Sequence, residues 1–202
     1  MRDYGRFDAF LSSLSADVYA EPVYEPHRSI TREVIARLHG EGLIRAGMRA
    51  LDVGCGQGVA LAEFRRLGID AVGVALGADV EVCRGNGFDV RDMDQNFMSF
   101  SDNAFDLLWC RHVLEHSVVP LFTLSEYHRV VRPSGLVYVE VPAPDTACHH
   151  ECNPNHYSVL PRSAWRSLFV RAGFAIERSQ SIDVQVPAGP DSYWSFCLRR
   201  SA

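Results

Sequence analysis

The fold is decided by the stretch Ala50-Leu51-Asp52-Val53-Gly54-Cys55-Gly56-Gln57-Gly58. An apolar run ends in an acid and three glycines at alternate positions, and a segment with a helical apolar face follows. This order predicts a buried strand that turns into a helix. Glycine lets a ligand approach the main chain closely and permits positive φ. The amides and dipole at the start of the next helix favour an anionic group. We therefore predict that a nucleotide-like cofactor binds at this turn.

Two common nucleotide-binding motifs do not fit this turn. A Walker phosphate loop ends in Gly-Lys-Ser/Thr, which Gln57-Gly58-Val59 does not supply. The dinucleotide fingerprint is G-x-G-x-x-G, and here the third glycine comes too early. The compressed arrangement, with Asp52 just before it, resembles motif I of the class I S-adenosylmethionine (SAM)-dependent methyltransferases.

The composition is typical of a globular α/β domain. Of 202 residues, 47% are hydrophobic and 22% are charged, which predicts a single domain over 1–202. We expect residues 1–45 to form a helical cap or lid on this domain. The formal net charge of −5 disfavours nucleic acid and anionic membranes as partners.

Three further features favour a cytoplasmic protein with no membrane partner. No apolar run approaches the length that spans a bilayer. The first residues carry acids and lack the apolar core of a signal peptide. The six cysteines are scattered, and several fall in predicted strands, which favours reduced thiols over a disulfide framework.

Apolar strand-like runs alternate with amphipathic helical segments along the chain, a pattern that predicts an α/β sandwich around a mostly parallel sheet. Strands are predicted over 49–53, 70–76, 87–90, 104–110, 136–141, 174–181 and 192–199, the last two as a possible hairpin. Helices are predicted over 7–19, 29–41, 57–67, 78–86, 118–131 and 162–172, with an irregular aromatic loop over 19–27. The segment 132–135 is expected to be a turn between helix and strand.

Spaced landmarks downstream strengthen the resemblance to class I methyltransferases. Residues 100–108 resemble the entry to the family's fourth strand, and 113–116 resemble its "LEH". Residues 124–135 resemble its "E-x-x-R-V-L-K-P-G-G" segment, with Ser134 in place of the first glycine. Residues 171–174 resemble the "A-G-F" that opens the sixth strand. The resemblance implies a three-layer, Rossmann-like sandwich whose seven strands lie in the order 3-2-1-4-5-7-6, strand 7 being antiparallel.

The resemblance also implies roles for residues at the motif I turn. Asp52 would hold the methionine ammonium of SAM, and Gly54, Gly56 and Gly58 would pack under the methionyl and ribose parts. The alternative for Asp52 is that it caps the turn. In this fold the cofactor lies across the carboxyl ends of strands 1, 2 and 4.

The end of the second strand departs from the family pattern. The family places Asp or Glu there to bind both ribose hydroxyls, and this chain has Ala75. We expect the loss to cost about 1–3 kcal/mol of affinity unless another group substitutes. Asp79 lies one turn later, but its favoured interpretation is an exposed acid on the first turn of a helix.

The adenine end is predicted over 92–95. Asp94 matches the acid that receives the adenine amino group, and Asp92 is the competing assignment. Met93 or Gln95 would lie against the adenine, Gln95 with a possible hydrogen bond. The alternative is that the two acids belong to a solvated loop.

The acceptor side is predicted after the fourth strand. Cys110, Arg111 and His112 should line the side of the site that holds the SAM sulfonium and the acceptor, with Arg111 as a cofactor-binding residue. His112 is a candidate base because histidine titrates near neutral pH. His112 and His116, four residues apart, also resemble a two-histidine metal pair. We favour a supporting role for His116.

A second polar cluster, residues 148–157, follows the fifth strand. His149 and His156 are candidate catalytic groups here, together with His150 and Tyr157, which would polarise a hydroxyl. Hydrogen bonding that only holds the loop is the equal alternative. Thiols and imidazoles suit metals, but the spacing matches no structural zinc pattern, so we predict no metal site. Tyr19 and Tyr24, in the loop 19–27, would form a lid or pack on the sheet edge.

These features together predict SAM-dependent methyl transfer to a small-molecule acceptor, with oxygen slightly favoured as the methylated atom. Because the leaving group is already activated, the protein needs chiefly to position the acceptor and exclude water. The alternative is a methyltransferase-like protein with weak or no SAM binding that acts as a partner or scaffold. An NAD-dependent oxidoreductase is a more distant third possibility.

Overall fold

The computed structural model describes residues 4–15 and 25–201. Within them the α-helices are α1 (Tyr4–Ser15), α2 (Glu25–Gly40), α3 (Val59–Arg66), α4 (Ala78–Gly85), α5 (Pro120–Val130) and α6 (Arg162–Arg171). The strands are β1 (Arg49–Val53), β2 (Asp70–Ala75), β3 (Asp89–Asp92), β4 (Phe105–Arg111), β5 (Val131–Pro142), β6 (Phe174–Val186) and β7 (Gly189–Arg200). The alternation of strands and helices therefore follows the predicted order.

The strands form one seven-stranded sheet in the order β3-β2-β1-β4-β5-β7-β6. Strands β1 to β5 pair in parallel, and β7 is antiparallel to both of its neighbours. The predicted strand order and the antiparallel seventh strand are confirmed. The chain leaves β1 towards β2 on one side and later adds β4 on the other. This reversal opens a crevice at the carboxyl ends of the strands, where ligands bind in such sheets.

Helices cover both faces of the sheet and make it a three-layer sandwich, as predicted. On one face α2 and α3 pack on β1, β4 and β5, with Phe64 edge-on to Trp109 at 5.8 Å between ring centroids. On the other face α5 and α6 bury Tyr127 and Phe169, and Phe169 contacts Phe196 of β7 at 4.8 Å. Apolar burial on both faces explains why the central strands are continuous apolar runs.

The N-terminal prediction needs one correction. Helix α2 begins at Glu25, so the irregular loop predicted over 19–27 is wrong for its last three residues. Proline is tolerated in the first turn of a helix because its missing N–H needs no partner there, so Pro26 starts the helix. Tyr19 and Tyr24 lie outside the described residues. Helix α1 begins at Tyr4, three residues earlier than predicted.

The predicted turn over 132–135 is wrong, because β5 begins at Val131 and includes it. The pairing of β4 with β5 shifts register between Phe105 and Leu107, so the extra residues form an irregularity within the ladder. Ser134 takes a left-handed φ of 62°, the conformation for which the family's glycine is suited. A Cβ on Gly135 would lie 2.4 Å from Cγ1 of Val131. The hairpin of β6 and β7 is also longer than predicted.

Two structural observations concern the predicted absence of a membrane span and the predicted state of the cysteines. Of the helices in the described part of the chain, none has the length and apolar character needed to cross a membrane. The six cysteines are all free thiols, and four of them are buried.

Candidate functional site

A cavity of about 330 Å³ lies at the carboxyl ends of β1, β2 and β4. Its volume falls in the range of about 300–1,000 Å³ that small-molecule sites occupy. The wall includes residues 52–57, 74–76 and 79, 93–96 and 111–113, with Leu11 and Leu14 of α1 and Asn155 and Tyr157 of the loop after β5. The predicted crevice is therefore present, and the N-terminal helices contribute to it.

Asp52 ends β1 as a buried carboxylate that faces the cavity. Its side chain is 3% exposed, and Oδ2 has no hydrogen-bond partner among the residues that the structure describes. Burial raises the pKa of the Asp52 carboxyl well above its usual range, and nearby Arg111 opposes this rise. A cation bound beside Oδ2 would stabilise the ionised form. The orphaned oxygen therefore fits the ammonium group for which Asp52 is proposed.

The three glycines of the turn serve different purposes. A Cβ on Gly54 would lie 2.1 Å from Cγ2 of Val113, and one on Gly58 would lie 3.0 Å from the ring of Phe88. Gly58 does not line the cavity. Gly56 lines it, has a φ of 48°, and would have nothing within 4 Å of an added Cβ. Gly54 and Gly56 thus both present main chain to the cavity, and an added Cβ would be free of contacts only at Gly56, whereas Gly58 serves the protein's own packing.

The end of β2 has no acidic side chain, as the sequence shows. Ala75 lines the cavity and is 7% exposed. Asp79, the second residue of α4, lines the same cavity, and its Oδ1 is shielded from solvent. The interpretation of Asp79 as an exposed acid is wrong. The α4 register turns this side chain inward and provides a carboxylate near the position where the family pattern has one.

The adenine end is formed by the loop after β3. Oδ1 of Asp94 accepts hydrogen bonds from the main-chain N and from Nδ2 of Asn96, both at 2.7 Å. Asp94 and Met93 line the cavity, whereas Asp92 is exposed at the end of β3 and does not. The structure thus brings Asp94 to the cavity and leaves the competing residue outside.

Gln95 also lines the cavity, but its amide is engaged elsewhere. Nε2 donates to the carbonyl of Val113 at 3.0 Å, and Oε1 accepts from the hydroxyl of Tyr127 at 2.7 Å. These bonds connect the loop after β3 to the turn after β4 and to α5. Gln95 therefore holds the wall in place, and the expected hydrogen bond to adenine has no support in this arrangement.

A buried ion pair lies behind the acceptor side of the cavity. The guanidinium NH2 of Arg111 donates to Oε1 of Glu140 at 2.5 Å, and the two side chains are 7% and 0% exposed. Arg111 also donates to the hydroxyl of Thr31 on α2, and Tyr138 donates to Oε2 of Glu140 at 2.8 Å. Burial opposes ionisation of Glu140, but Arg111 and His112 outweigh it and hold the pKa of Glu140 well below its usual range.

His112 lines the cavity and is fixed by this ion pair. Its Nε2 lies 3.0 Å from Oε1 of Glu140, and its φ of 57° is left-handed. The ring stacks on His27 at 5.1 Å and meets the edge of Tyr193 at 4.6 Å. Nε2 also lies 3.3 Å from the guanidinium NH2 of Arg111, so this nitrogen faces a group that can only donate as well as a carboxylate that can only accept. These contacts hold the ring in one orientation at the cavity wall.

The sequence predicts a loop at His27, but this residue lies on α2, at the cavity wall. Burial and the neighbouring His112 and Arg111 lower the pKa of His27 to about 4. It is therefore neutral near pH 7, and its ring forms part of the wall beside His112.

Of the other two predicted catalytic histidines, neither lines the cavity. His149 has a side chain that is 70% exposed, 3.7 Å from Glu151. His156 packs edge-on against His116 at 4.8 Å, with Nε2 3.3 Å from Nδ2 of Asn153. Burial, His116 and His150 lower the pKa of His156 to about 4, which makes it a weak base.

Two contacts attach the loop after β5 to the rest of the domain. Nδ1 of His116 donates to the carbonyl of Asn155 at 2.8 Å, so His116 supports the loop. Nε2 of His150 lies 3.0 Å from Oδ1 of Asp191 on β7. This loop brings Asn155 and Tyr157 to the cavity. Its position depends on residues distant in sequence, which is why the alternation pattern alone could not place its side chains.

Comparison with known proteins identifies the family to which this fold and cavity belong. The family described as "Methyltransferase domain" matches residues 25–179. The chain belongs to this methyltransferase family.

Curated relatives of this methyltransferase-family chain match only in part. It is 32% identical over 101 residues to a ubiquinone biosynthesis O-methyltransferase of Methylococcus capsulatus, covering 46% of this chain and 43% of that protein. It is 31% identical over 172 residues to a sterol 24-C-methyltransferase of Yarrowia lipolytica, covering 71% of this chain and 44% of that protein. The chain thus spans less than half the length of either relative.

Solved structures share the fold of this family member at low sequence identity. A SAM-dependent methyltransferase from Archaeoglobus fulgidus superposes with a TM-score of 0.65 at 20% identity, covering 83% of this chain and 94% of that one. The [4+2]-cyclase SpnF superposes with a TM-score of 0.72 at 20% identity, covering 92% and 85%. The likeness extends over most of the chain and shows the fold.

Proposed function

We propose that this chain transfers the methyl group of SAM to an oxygen atom of a small-molecule acceptor. The observation that carries the proposal is the orphaned Oδ2 of buried Asp52 beside the open main chain of Gly56, in a cavity of suitable volume. When bound, SAM supplies a methyl group on a sulfonium sulfur and leaves as the neutral thioether once the acceptor oxygen has taken the methyl and lost its proton.

The proposed binding residues each contact a different part of SAM along the cavity. Asp52 pairs with the ammonium group, and the main chain at Gly54 and Gly56 contacts the amino-acid part. Asp79 takes the ribose hydroxyls in place of an acid at Ala75. Asp94 receives the adenine amino group, with Met93 against the ring.

The remaining residues prepare the acceptor side. His112 accepts the acceptor's proton, and Glu140 holds its ring in one orientation. Arg111 neutralises Glu140, so it acts as a positioning residue and not as a ligand of the substrate. Leu11 and Leu14 of α1 cover the cavity with apolar surface and exclude water. We assign no catalytic role to His149, because its exposed side chain lies outside the cavity.

A second candidate is a methyltransferase-like protein that binds SAM weakly or not at all and acts as a partner or scaffold. Ala75 is the observation that favours it, since alanine offers the ribose no acceptor. A protein of this fold is also described as a [4+2]-cyclase, so the fold alone does not determine the reaction.

Calorimetry with SAM and with S-adenosylhomocysteine distinguishes the two candidates. We expect binding in the micromolar range, weakened by Asp52→Asn because the buried carboxylate no longer carries a charge. An absence of heat at millimolar ligand would favour the scaffold. Among acceptors, phenols and sugars with free hydroxyls are the first to test, by transfer of radioactive methyl.

A further inference from the structure

A second group of potential ligands lies beside the acceptor end of the cavity. Glu115 and His116 come from the turn after β4, and His156 comes from the loop after β5. One side-chain ligand atom of each residue lies within 4.8 Å of those of the other two. Glu115 is 1% exposed. The pattern within the loop alone did not indicate this group, because it combines two segments that are 40 residues apart.

Two imidazoles and one carboxylate are a characteristic donor set. Catalytic zinc sites use two histidines and a glutamate, and mononuclear iron(II) sites use two histidines and a carboxylate. We propose that Glu115, His116 and His156 bind a divalent transition-metal ion, Zn²⁺ in the first instance. The ion would coordinate an oxygen atom of the acceptor at the edge of the cavity.

The surroundings of His116 are those of a metal ligand. Its Nδ1 donates to the main-chain carbonyl of Asn155 at 2.8 Å, which leaves the lone pair on Nε2. Metal-binding histidines almost always donate their other ring N–H to a carbonyl or carboxylate in this way. The main-chain N of Ser158 also donates to the carbonyl of Glu115 at 2.9 Å, so the two segments that supply the ligands are fixed together.

His156 supplies an independent observation. Its Nδ1 is shielded from solvent and has no hydrogen-bond partner within the described part of the chain. A buried polar atom without a partner is costly, and a bond to a metal would compensate. Coordination through Nδ1 places the proton on Nε2, which faces the side-chain amide of Asn153. Rotation of that amide would present its oxygen as the acceptor, with loss of the hydrogen bond that this oxygen now accepts from the main-chain N of Asn155 at 3.0 Å.

The position of the group explains what the ion would do. His116 and Asn155 line the cavity, so a coordination position not used by the protein opens towards the acceptor. A bound divalent ion lowers the pKa of a coordinated hydroxyl. The proton released would pass to His112, whose ring lines the same cavity. This last step rests on the proposed methyl transfer, whereas metal binding does not.

A competing group consists of Cys148, His150 and Asp191, whose ligand atoms also lie within 4.8 Å of one another. The Asp191 carboxylate already accepts from the main-chain N of Ser192 at 2.9 Å and lies 3.0 Å from Nε2 of His150. None of the three lines the cavity. We interpret these three residues as contacts that hold the loop after β5 against β7.

The test is titration of the full chain with Zn²⁺ alone by calorimetry and with Co²⁺ alone by absorption spectroscopy. We expect one ion per chain and a Co²⁺ spectrum without a thiolate charge-transfer band. Loss of a residue that only supports a metal ligand lowers the affinity for the metal about 10–100-fold. His116→Gln and His156→Gln should each lower the affinity for Zn²⁺ by more than this. His39→Gln, which removes an exposed histidine of α2, is the matched control, and Cys148→Ser removes the competing thiol.

Two results would overturn the proposal. One is binding that survives in both histidine variants, or that is lost in Cys148→Ser together with a thiolate band. The other is the absence of stoichiometric binding by the unmodified chain. Urea unfolding of each variant identifies any that fails to fold. If His116→Gln does not fold, His156→Gln, in a half-buried loop position, decides whether this group binds the metal ion. S-adenosylhomocysteine calorimetry on metal-free protein reports on the cofactor site separately.

Discussion

Replacing Asp79 tests how the ribose is held in a chain that lacks the usual acid. Asp79→Asn keeps the shape of the side chain and removes its charge. Hydrogen bonds to charged groups are worth about 1.5–3 kcal/mol, and the lower end applies because Asp79 is only partly buried and asparagine retains one acceptor oxygen. A loss of about 1.4 kcal/mol is tenfold in the dissociation constant. We therefore expect S-adenosylhomocysteine to bind about tenfold more weakly.

Glu81→Gln is the matched control for this substitution. Glu81 lies on the same first turn of α4, its side chain is 77% exposed, and it pairs with Arg84 at 2.9 Å. Both substitutions remove an acid from the helix N-terminus and share its small stabilising effect of about 0.3–1 kcal/mol. Only Asp79 lines the cavity. A difference in affinity between the two variants therefore measures contact with the ligand.

Ala75→Asp completes a double-mutant cycle. If Asp79 already binds the ribose, Ala75→Asp alone should change the affinity little, because the hydroxyls are occupied. In the Asp79→Asn background it should restore most of the lost affinity. Calorimetry with S-adenosylhomocysteine measures all four proteins without turnover. The reasoning is refuted if Asp79→Asn binds as the unmodified chain does, or if Ala75→Asp alone tightens binding tenfold.

Three further predictions concern stability. Glu140→Gln should lower the free energy of unfolding by about 3–5 kcal/mol, because it leaves Arg111 charged and buried without its partner; urea unfolding that shows less than 1 kcal/mol would contradict this. Because the pKa values of His27 and His156 are about 4 in the folded chain and near 6.5 when unfolded, the unfolded state binds more protons and stability should fall as the pH drops from 6.5 towards 4. His27→Gln combined with His156→Gln should flatten that slope, and an unchanged slope would assign it to other groups. Ser134→Gly should raise the melting temperature slightly, by relieving a left-handed φ worth about 1 kcal/mol; a lower melting temperature would mean that the Ser134 side chain is needed.

The half of the cavity proposed to bind the cofactor could be predicted because the residues at its centre are neighbours in the sequence. The apolar run before Asp52 and the glycines after it define a strand and a turn, and the resemblance to class I methyltransferases implies the strand order. Even so, the sequence did not distinguish Gly56, which leaves space for a ligand, from Gly54, which makes room for Val113. That difference depends on a side chain 59 positions along the chain.

The predictions that failed depend on helix register and on distant contacts. Helix α4 begins at Ala78, as predicted, but which side of its first turn lies towards the cavity depends on how α4 packs beside β2, and the local pattern does not show that. His27 reaches the cavity because Pro26 starts a helix where turn residues had suggested a loop. His149 points away because the loop is fastened by His150 and Asp191, 41 residues apart.

This difference between the two halves bears on how the reaction is specified. The half with Asp52 and Gly56 is built from one strand and its turn, so any member of the fold with those residues can retain it. The acceptor half combines α2, the turn after β4 and the loop after β5. The Arg111–Thr31 hydrogen bond joins α2 to the end of β4, and the His116–Asn155 hydrogen bond joins the turn to the loop. Each of these segments can change without disturbing the sheet. Substitutions there should therefore alter acceptor choice with little effect on S-adenosylhomocysteine affinity, and equal losses of both would show that the halves are coupled.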